Sequence, residues 1–257
     1  MKTTACLFTI VFMFLLSAAS AQQKQRQSSH SPTASMNISF SNLFHNQPIV
    51  LNDSMYTNVF GESFSLSKLS YYVSNICFFT AGKKIKTGSN CFLINQRRDS
   101  SMNVAVHLPV GSYDSIGFLL GVDSIHNISG AQLGALDPLN DMFWTWNTGY
   151  IMQKIEGRSL VSNMVNNKME YHIGGFKGQY NVLHFITLPF SAPKKLLLQK
   201  GKTNKLMIAA NIDRLWKNEQ NFRITTVPVC TTPGASAKQI ASYFADIFSL
   251  VKIDAVL

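Results

Sequence analysis

Hydrophobic and polar residues alternate in short runs through most of this chain. From Met36 onward, runs rich in Val, Ile, Phe and Tyr are broken by Gly, Pro, Asn, Asp and Ser. Many short apolar runs with polar breaks are typical of the strands of a β-sandwich. The pattern predicts strands at 36–41, 71–80, 90–95, 102–108, 112–120, 149–155, 168–175, 181–188 and 204–211.

Two segments indicate helices instead of strands. A short helix is predicted directly after residues 211–213. A longer one is predicted at 236–249, where apolar side chains recur at the spacing of one helix face. These side chains are Ile240, Phe244, Ile247 and Phe248.

One segment between predicted strands is too long for a simple connection. Residues 121–148 read GVDSIHNISGAQLGALDPLNDMFWTWNT. A loop of this length in a compact domain is usually functional or disordered. Because it carries Met142, Phe143, Trp144 and Trp146, we expect an ordered loop that packs its rings on a rigid scaffold. The predicted fold is therefore all-β: an antiparallel β-sandwich with a long ordered loop and a C-terminal helix.

The start of the chain differs from the rest. A basic residue precedes an apolar run at 7–16, and residues 19–21 read Ala-Ser-Ala. This pattern indicates a secretory signal peptide at 1–21, too short to span a bilayer, with an uncleaved anchor as the alternative. After cleavage we expect a periplasmic or secreted protein without a membrane span. The polar stretch 22–35 predicts a disordered linker, which leaves 36–257 as one domain.

The charge of the chain does not point to nucleic acid. The formal net charge is +10, but charged residues make up only 14% of the sequence and the basic ones are scattered. A nucleic-acid-binding protein concentrates basic residues on one element with interleaved aromatic residues. We therefore expect a mildly basic, solvated surface that could attract an acidic partner.

The cysteines and the known catalytic motifs narrow the function further. Cys77, Cys91 and Cys230 follow the predicted cleavage site, and their odd number leaves at least one unpaired or paired between chains. Cys77 and Cys91 lie in neighbouring apolar runs and form either a hairpin disulfide or two free thiols. The sequence has no GxSxG, HExxH, Gly-rich phosphate loop or CxxCH motif. We therefore predict a binding protein that is not an enzyme.

The Trp pair of the long loop is the first candidate feature for function. If the chain is extended there, Trp144 and Trp146 point to the same face. They could be core rings at one end of the sandwich, or they could bind a sugar or a cation. The indole ring is also readily oxidised, so a redox role stays open.

The histidines supply candidate metal ligands. His172 lies in a strand that enters Gly174 and Gly175, where a close backbone approach is possible. His45 follows the first strand at a turn, and His126 lies in the long loop. Imidazole suits copper, zinc and iron.

Several motifs of the chain resemble the MbnP-like family of secreted copper-binding proteins. The resemblance covers roughly residues 36–250. Its most specific part lies within 121–174 and consists of Gly121-Val122-Asp123, Asn127, Leu136-Asp137-Pro138, Met142-Phe143-Trp144-Thr145-Trp146, Gly149-Tyr150 and His172-Ile173-Gly174.

The resemblance implies a β-sandwich that holds copper, as Cu(I), through histidines. In some members a kynurenine, made by oxidation of a tryptophan, is a further ligand. The partner that performs the oxidation is a di-haem protein related to cytochrome c peroxidases. For this chain it implies His172 as a ligand with His45 second and His126 in reserve, beside Trp144 or Trp146. Some members have a histidine directly after the loop Asn, but Ile128 stands there in this chain.

An interaction module is the alternative function. In this hypothesis the aromatic loop docks a sugar or a protein outside the cytoplasm. Metal analysis together with mass spectrometry of the Trp144–Trp146 peptide distinguishes the two.

Overall fold

Strands make up most of the regular structure. The computed structural model describes residues 32–147, 149–190, 195–202, 204–217 and 222–254. The predicted signal peptide and most of the predicted linker lie outside the described residues. Among the described residues, no helix is long and apolar enough to span a membrane.

The strands are numbered in chain order. They are β1 (Thr33–Phe44), β2 (Gln47–Pro48), β3 (Met55–Thr57), β4 (Ser63–Thr80), β5 (Lys83–Lys86), β6 (Cys91–Asn95), β7 (Asn103–Pro109), β8 (Gly111–Tyr113), β9 (Ser115–Leu120), β10 (Phe143–Trp144), β11 (Gly149–Arg158), β12 (Lys168–Gly174), β13 (His184–Pro189), β14 (Leu196–Leu198), β15 (Lys205–Asn211), β16 (Val229–Cys230) and β17 (Phe248–Ile253).

The helices are few and short. The α-helices are α1 (Ser124–Ile128) and α2 (Ala235–Ala245). Single 3-10 turns lie at Asp99–Met102, Gly134–Leu136, Pro138–Asn140, Val165–Asn167, Gly178–Tyr180 and Ile212–Trp216.

Two main sheets form the sandwich. The first has the strand order β17-β15-β1-β2, with β7 also paired to β1. The second has the order β13-β9-β4-β11-β12-β16, with β3, β5 and β6 paired to the long β4 and β10 paired to β11. Most pairs are antiparallel, and the exceptions are β1 with β15 and β12 with β16.

Apolar side chains of the two sheets meet in one core. In β1 every second residue from Ala34 to Phe44 is buried, as strand alternation requires when one face is covered. Phe40 of the first sheet lies 6.4 Å from Tyr71 and 6.0 Å from Phe118 of the second, measured between ring centroids. The predicted β-sandwich is therefore confirmed.

The boundaries of some elements differ from the prediction. β1 begins at Thr33, inside the stretch 22–35 that we expected to be disordered, because residues 33–35 pair with β7. The helix predicted at 236–249 ends at Ala245, since the chain then forms β17 and pairs with the edge of β15. The short helix predicted after residues 211–213 is the 3-10 turn Ile212–Trp216.

Cys77, Cys91 and Cys230, which lie in the described part of the chain, are free thiols. Cys77 lies on β4 opposite Lys86 of β5, whereas Cys91 lies on β6 opposite Ser74 of β4. The hairpin disulfide that the sequence left open does not form here.

Candidate metal centre

Charged side chains share the outer face of the second sheet where β4, β11 and β12 run side by side. In β12, which reads KMEYHIG, the apolar residues between the polar ones are buried. The register places Glu156 opposite both Glu170 and Lys68. It also places Lys154 opposite His172. Because side chains alternate along a strand, the polar residues of all three strands lie on one face.

His172 contacts two carboxylates on this face. Its Nε2 atom lies 3.0 Å from Oε1 of Glu156 and 3.4 Å from Oε1 of Glu170. One ligand atom of each of the three residues lies within 4.8 Å of the others. Within the described ranges, this is the group of three such side chains close enough together to hold a metal ion.

Three lysines and Asp141 complete what we call the charged cluster. Lys68 lies 2.8 Å from Asp141 and 3.1 Å from Glu156. The Lys154 side chain is 3% exposed, and its Nζ lies 3.0 Å from Asp141 and also donates to the backbone carbonyl of that residue. The third lysine is Lys168, whose Nζ lies 2.6 Å from Oε2 of Glu170.

The cluster strongly favours the ionised form of Glu156. Burial raises the pKa of this carboxyl group, but the hydrogen bond with His172 and the ion pair with Lys68 outweigh it. The pKa of Glu156 therefore falls from its usual value of 4.5 to about 2. Its charged oxygens are available as ligand atoms over the whole neutral range.

Trp144 lies against β12, the strand that carries His172. Trp144 is 6% exposed. A Cβ atom added to Gly174 would lie 2.4 Å from Cζ3 of the Trp144 ring, so the ring rests directly on this glycine. Gly174 follows His172 by two residues on the same face of β12, a separation of roughly 7 Å along a strand.

The two indole rings differ in exposure although they touch. Their centroids are 5.4 Å apart with an interplanar angle of 42°. Trp146 is 63% exposed, because the chain leaves β10 after Trp144 and turns. The interpretation of both rings as core residues is therefore correct for Trp144 and wrong for Trp146.

The long loop is ordered over its described residues 121–147 and pinned to the sandwich. Asn127 is buried, and its Oδ1 accepts a hydrogen bond from the backbone N–H of Tyr150 at 3.2 Å. The Tyr150 hydroxyl donates to the Leu136 carbonyl at 2.8 Å. The Ile151 N–H donates to the Met142 carbonyl at 2.9 Å. These bonds hold the loop against β11.

The other two candidate histidines lie outside the cluster of His172, Glu156 and Glu170. His126 is in α1, where its Nδ1 lies 2.9 Å from Oδ1 of Asp123, the residue that caps this helix. His45 is exposed in the turn after β1, and its ring centroid lies 4.6 Å from that of Phe44. The sequence grouped these histidines with His172, whereas the structure groups His172 with carboxylates.

Comparison with known proteins identifies the family. The model of the family described as MbnP matches residues 33–232, which is most of the chain. The chain belongs to the MbnP family. Among solved structures, MbnP from Methylosinus trichosporium is similar in fold, with a TM-score of 0.52 and 12% sequence identity. The alignment covers 78% of this chain and 83% of that chain. No curated protein matches this chain significantly.

The motifs that carry the resemblance to the MbnP family meet in space. Asn127 bonds to the backbone beside Gly149, Trp144 pairs with Gly149 across β10 and β11, and the Trp144 ring covers Gly174. Position 174 of the His-x-Gly motif is thus a glycine because any larger side chain would collide with the ring of Trp144.

Sequence reasoning missed the carboxylates and lysines of this MbnP domain. Neither Glu156 nor Asp141 was among the metal ligands predicted from the sequence. One signal was present: in KMEYHIG, Glu170 and His172 are two residues apart and must share a face. The pairing of that face with Glu156 and Lys68 depends on register, which the sequence does not specify.

Proposed function

We propose that this protein is an exported copper-binding member of the MbnP family that is not itself an enzyme. Copper is its cargo, and His172 supplies the imidazole ligand. The proposal also assigns a periplasmic or secreted location and a di-haem peroxidase-like partner, as the family resemblance implies.

One observation carries this proposal: one ring of the Trp pair lies against β12, the strand that carries His172. Trp144 rests on Gly174, two residues from His172 on the same outer face of β12. If His172 were at the other end of the sandwich from both rings, it could not bind a metal ion beside either of them. The observed arrangement supports a metal bound next to an oxidisable ring.

The donor atoms around His172 fit a metal ion in part. An imidazole nitrogen with two carboxylate oxygens is a suitable donor set for a transition metal. It differs from the set of neutral nitrogens that the resemblance implies for Cu(I). His126 and His45 remain predicted ligands that the arrangement of the charged cluster does not favour.

The unequal exposure of the rings suggests how a partner could act on them. In this proposal the partner protein approaches the exposed Trp146, and the ring that becomes kynurenine is one of the two contacting rings. Two equivalents of peroxide, used by the peroxidase-like partner, would add two oxygen atoms to the indole ring, and water would then remove the formyl group as formate. The net change is one carbon atom lost and one oxygen atom gained. A mass spectrum of the peptide with Trp144 and Trp146 detects that exchange.

The test is copper loading of the purified full-length mature protein. We expect stoichiometric copper in the wild type and its loss in His172→Ala. The control is His107→Ala, which removes an exposed histidine on β7 and should leave copper binding unchanged. Metal content is measured by inductively coupled plasma mass spectrometry after gel filtration. Retention of copper by His172→Ala, or no copper in the wild type, contradicts the proposal.

A second candidate function rests on the exposed apolar residues of the long loop. Five large apolar side chains of this one segment are mostly exposed: Ile125, Ile128, Leu133, Leu139 and Trp146. Scattered apolar residues are normal on a surface, but a concentration in one loop is typical of a docking region. The alternative is therefore an interaction module that docks a protein or a sugar through this loop. Wild-type protein without any bound metal would favour it.

A further inference from the structure

We infer that Glu156, Glu170 and His172 form a binding site for one divalent transition-metal ion, with two oxygen ligands and one nitrogen ligand. This inference rests on the proposed function where copper is the ion, and it then assigns Cu(II) rather than Cu(I). As a site for zinc or manganese it stands independently of that function.

The three ligand atoms have the spacing that a shared ion requires. Metal–ligand distances of about 2.1 Å give about 3.4 Å between neighbouring ligand atoms in a tetrahedral site. The Nε2 atom of His172 lies 3.0 Å from the Glu156 oxygen and 3.4 Å from the Glu170 oxygen. No side chain has to move far to bind an ion at their centre.

The backbone fixes this convergence. Glu156 and Glu170 are directly opposite each other on β11 and β12, and His172 is two residues further along β12. Sites built on paired strands hold their ligands more firmly than sites on loops. The three ligands are thus positioned by the same ladder that forms the second sheet.

Lysines hold the carboxylates from the outer side. Oε1 of each glutamate faces His172. Lys68 contacts both oxygens of Glu156, Oε2 at 3.1 Å and Oε1 at 3.3 Å, and Lys168 lies 2.6 Å from Oε2 of Glu170. Such outer partners orient ligating carboxylates.

The lysines also limit the affinity. Lys68, Lys154 and Lys168 balance the charges of Asp141, Glu156 and Glu170, so the cluster is formally neutral when His172 is neutral. A divalent ion adds positive charge near three ammonium groups. We therefore expect exchangeable binding of moderate affinity.

The two glutamates, but not His172, border a cleft. It has a volume of about 410 Å³, and Glu156 and Glu170 belong to its wall together with Ser67, Asn166 and Lys168. Water or a small ligand can reach an ion at this edge of the sheet. Three protein ligands with an open position are the arrangement of exchangeable or reactive sites, whereas structural zinc sites have four protein ligands.

The donor set selects the type of ion. Carboxylate oxygens with one imidazole suit Cu(II), Zn(II) and Mn(II), while Cu(I) prefers softer ligands. The structure thus favours an oxidised copper ion or another divalent ion at this position.

The experiment is titration of metal-free mature protein with Zn²⁺ and Cu²⁺, followed by calorimetry. We expect one ion per chain, and an affinity lowered at least about tenfold in Glu170→Gln and in Glu156→Gln. The matched control is Asp99→Asn, an exposed carboxylate on another surface, which should bind like the wild type. Circular dichroism confirms that each variant is folded.

A spectroscopic readout on the wild type does not depend on the variants. Electron spin resonance of the Cu²⁺-loaded protein should show coupling to a single imidazole. Coupling to two imidazoles would mean that His126 or His45 is a ligand and would overturn the inference.

The outcomes separate this inference from the proposed function. If both glutamate variants bind copper like the wild type, the three-ligand site is wrong but the proposed copper-binding function stands. Binding of Zn²⁺ but not copper, with sensitivity to Glu170→Gln, removes the function and leaves the site. Absence of any metal binding removes both.

Discussion

Two carboxylates with lowered pKa values, Glu62 and Glu156, differ in the groups that stabilise their charge. Glu62 is 4% exposed, and its oxygens accept hydrogen bonds from the backbone N–H groups of Ile224 and Thr225 at 2.9 and 3.0 Å. The Thr225 hydroxyl and the Asn58 side chain donate to it as well. Every described partner of Glu62 is neutral and fixed by the chain.

Glu156 has charged partners instead. Two lysines and His172 contact it, and it lines a cleft. Side chains of this kind exchange partners without breaking backbone structure. A lowered carboxyl pKa therefore does not by itself identify a binding site. The stabilising groups distinguish a structural carboxylate, which is held by neutral groups including backbone N–H, from one that is held by charged side chains beside a cleft.

The largest effect is expected when the structural carboxylate is removed. Glu62→Ala removes the acceptor of the buried Ile224 N–H and of the partly buried Thr225 N–H, so we expect a loss of about 3 kcal/mol in the free energy of unfolding. Urea denaturation measures it. Metal binding at His172 should persist in conditions where the variant is folded. A loss of metal binding in folded Glu62→Ala would break the distinction between the two carboxylates.

A smaller effect is expected under the tryptophan loop. Gly174→Ala places a methyl group 2.4 Å from the Trp144 ring, so the ring must move. We expect a destabilisation of about 2 kcal/mol and a shift of the tryptophan emission. Gly149→Ala is the control, because its nearest atoms would be 3.8 Å away. Equal thermal unfolding of the two variants would show that Trp144 does not rest on β12 in solution.

The pH dependence of stability should identify Glu62 as the structural group. Burial raises its pKa, but hydrogen bonds from Asn58, Thr225 and Ile224 lower it overall below 4.5. Its contribution is therefore complete above the unfolded-state pKa and is lost as the pH falls through the folded-state pKa. The difference in unfolding free energy between wild type and Glu62→Gln should shrink from about pH 6 to about pH 3. A constant difference over that range contradicts the assignment.

Loss of the buried lysine should cost little. Lys154→Met keeps the aliphatic stem and leaves Asp141 paired with Lys68 on a surface where the Asp141 side chain is 65% exposed. We expect about 1 kcal/mol of destabilisation. Hydrogen exchange should rise at 137–146, because one anchor of the loop is gone. An unchanged exchange pattern would show that Lys154 does not fix the loop.

The smallest effect is expected at the exposed ring. Trp146→Phe should change the unfolding free energy by less than about 0.5 kcal/mol, since the side chain is 63% exposed. Trp144→Phe removes buried ring area and should cost about 2 kcal/mol. Chemical denaturation of both variants tests the contrast. Equal costs would mean that the two rings are equally buried in solution.

Local pattern determined much of this molecule. The alternation of apolar and polar residues predicted most of the long strands and the sandwich, because one buried sheet face imposes a period of two. The aromatic residues of 121–148 predicted an ordered loop, and the described part of that loop is ordered. The family motifs predicted that His172 lies beside the Trp pair, and the structure places the Trp144 ring on Gly174, two residues from His172.

Only the tertiary structure decided which side chains meet. The pairing of Glu156 with Glu170, and of Lys154 with His172, follows from the register of β11 and β12, which contains an irregularity between Ile151 and Gln153. A shift of β11 by one residue would turn each of its side chains to the other face, and no local pattern fixes that choice because β11 is buried along nearly its whole length. For the same reason the sequence grouped His172 with other histidines, whereas the folded chain places it between two carboxylates.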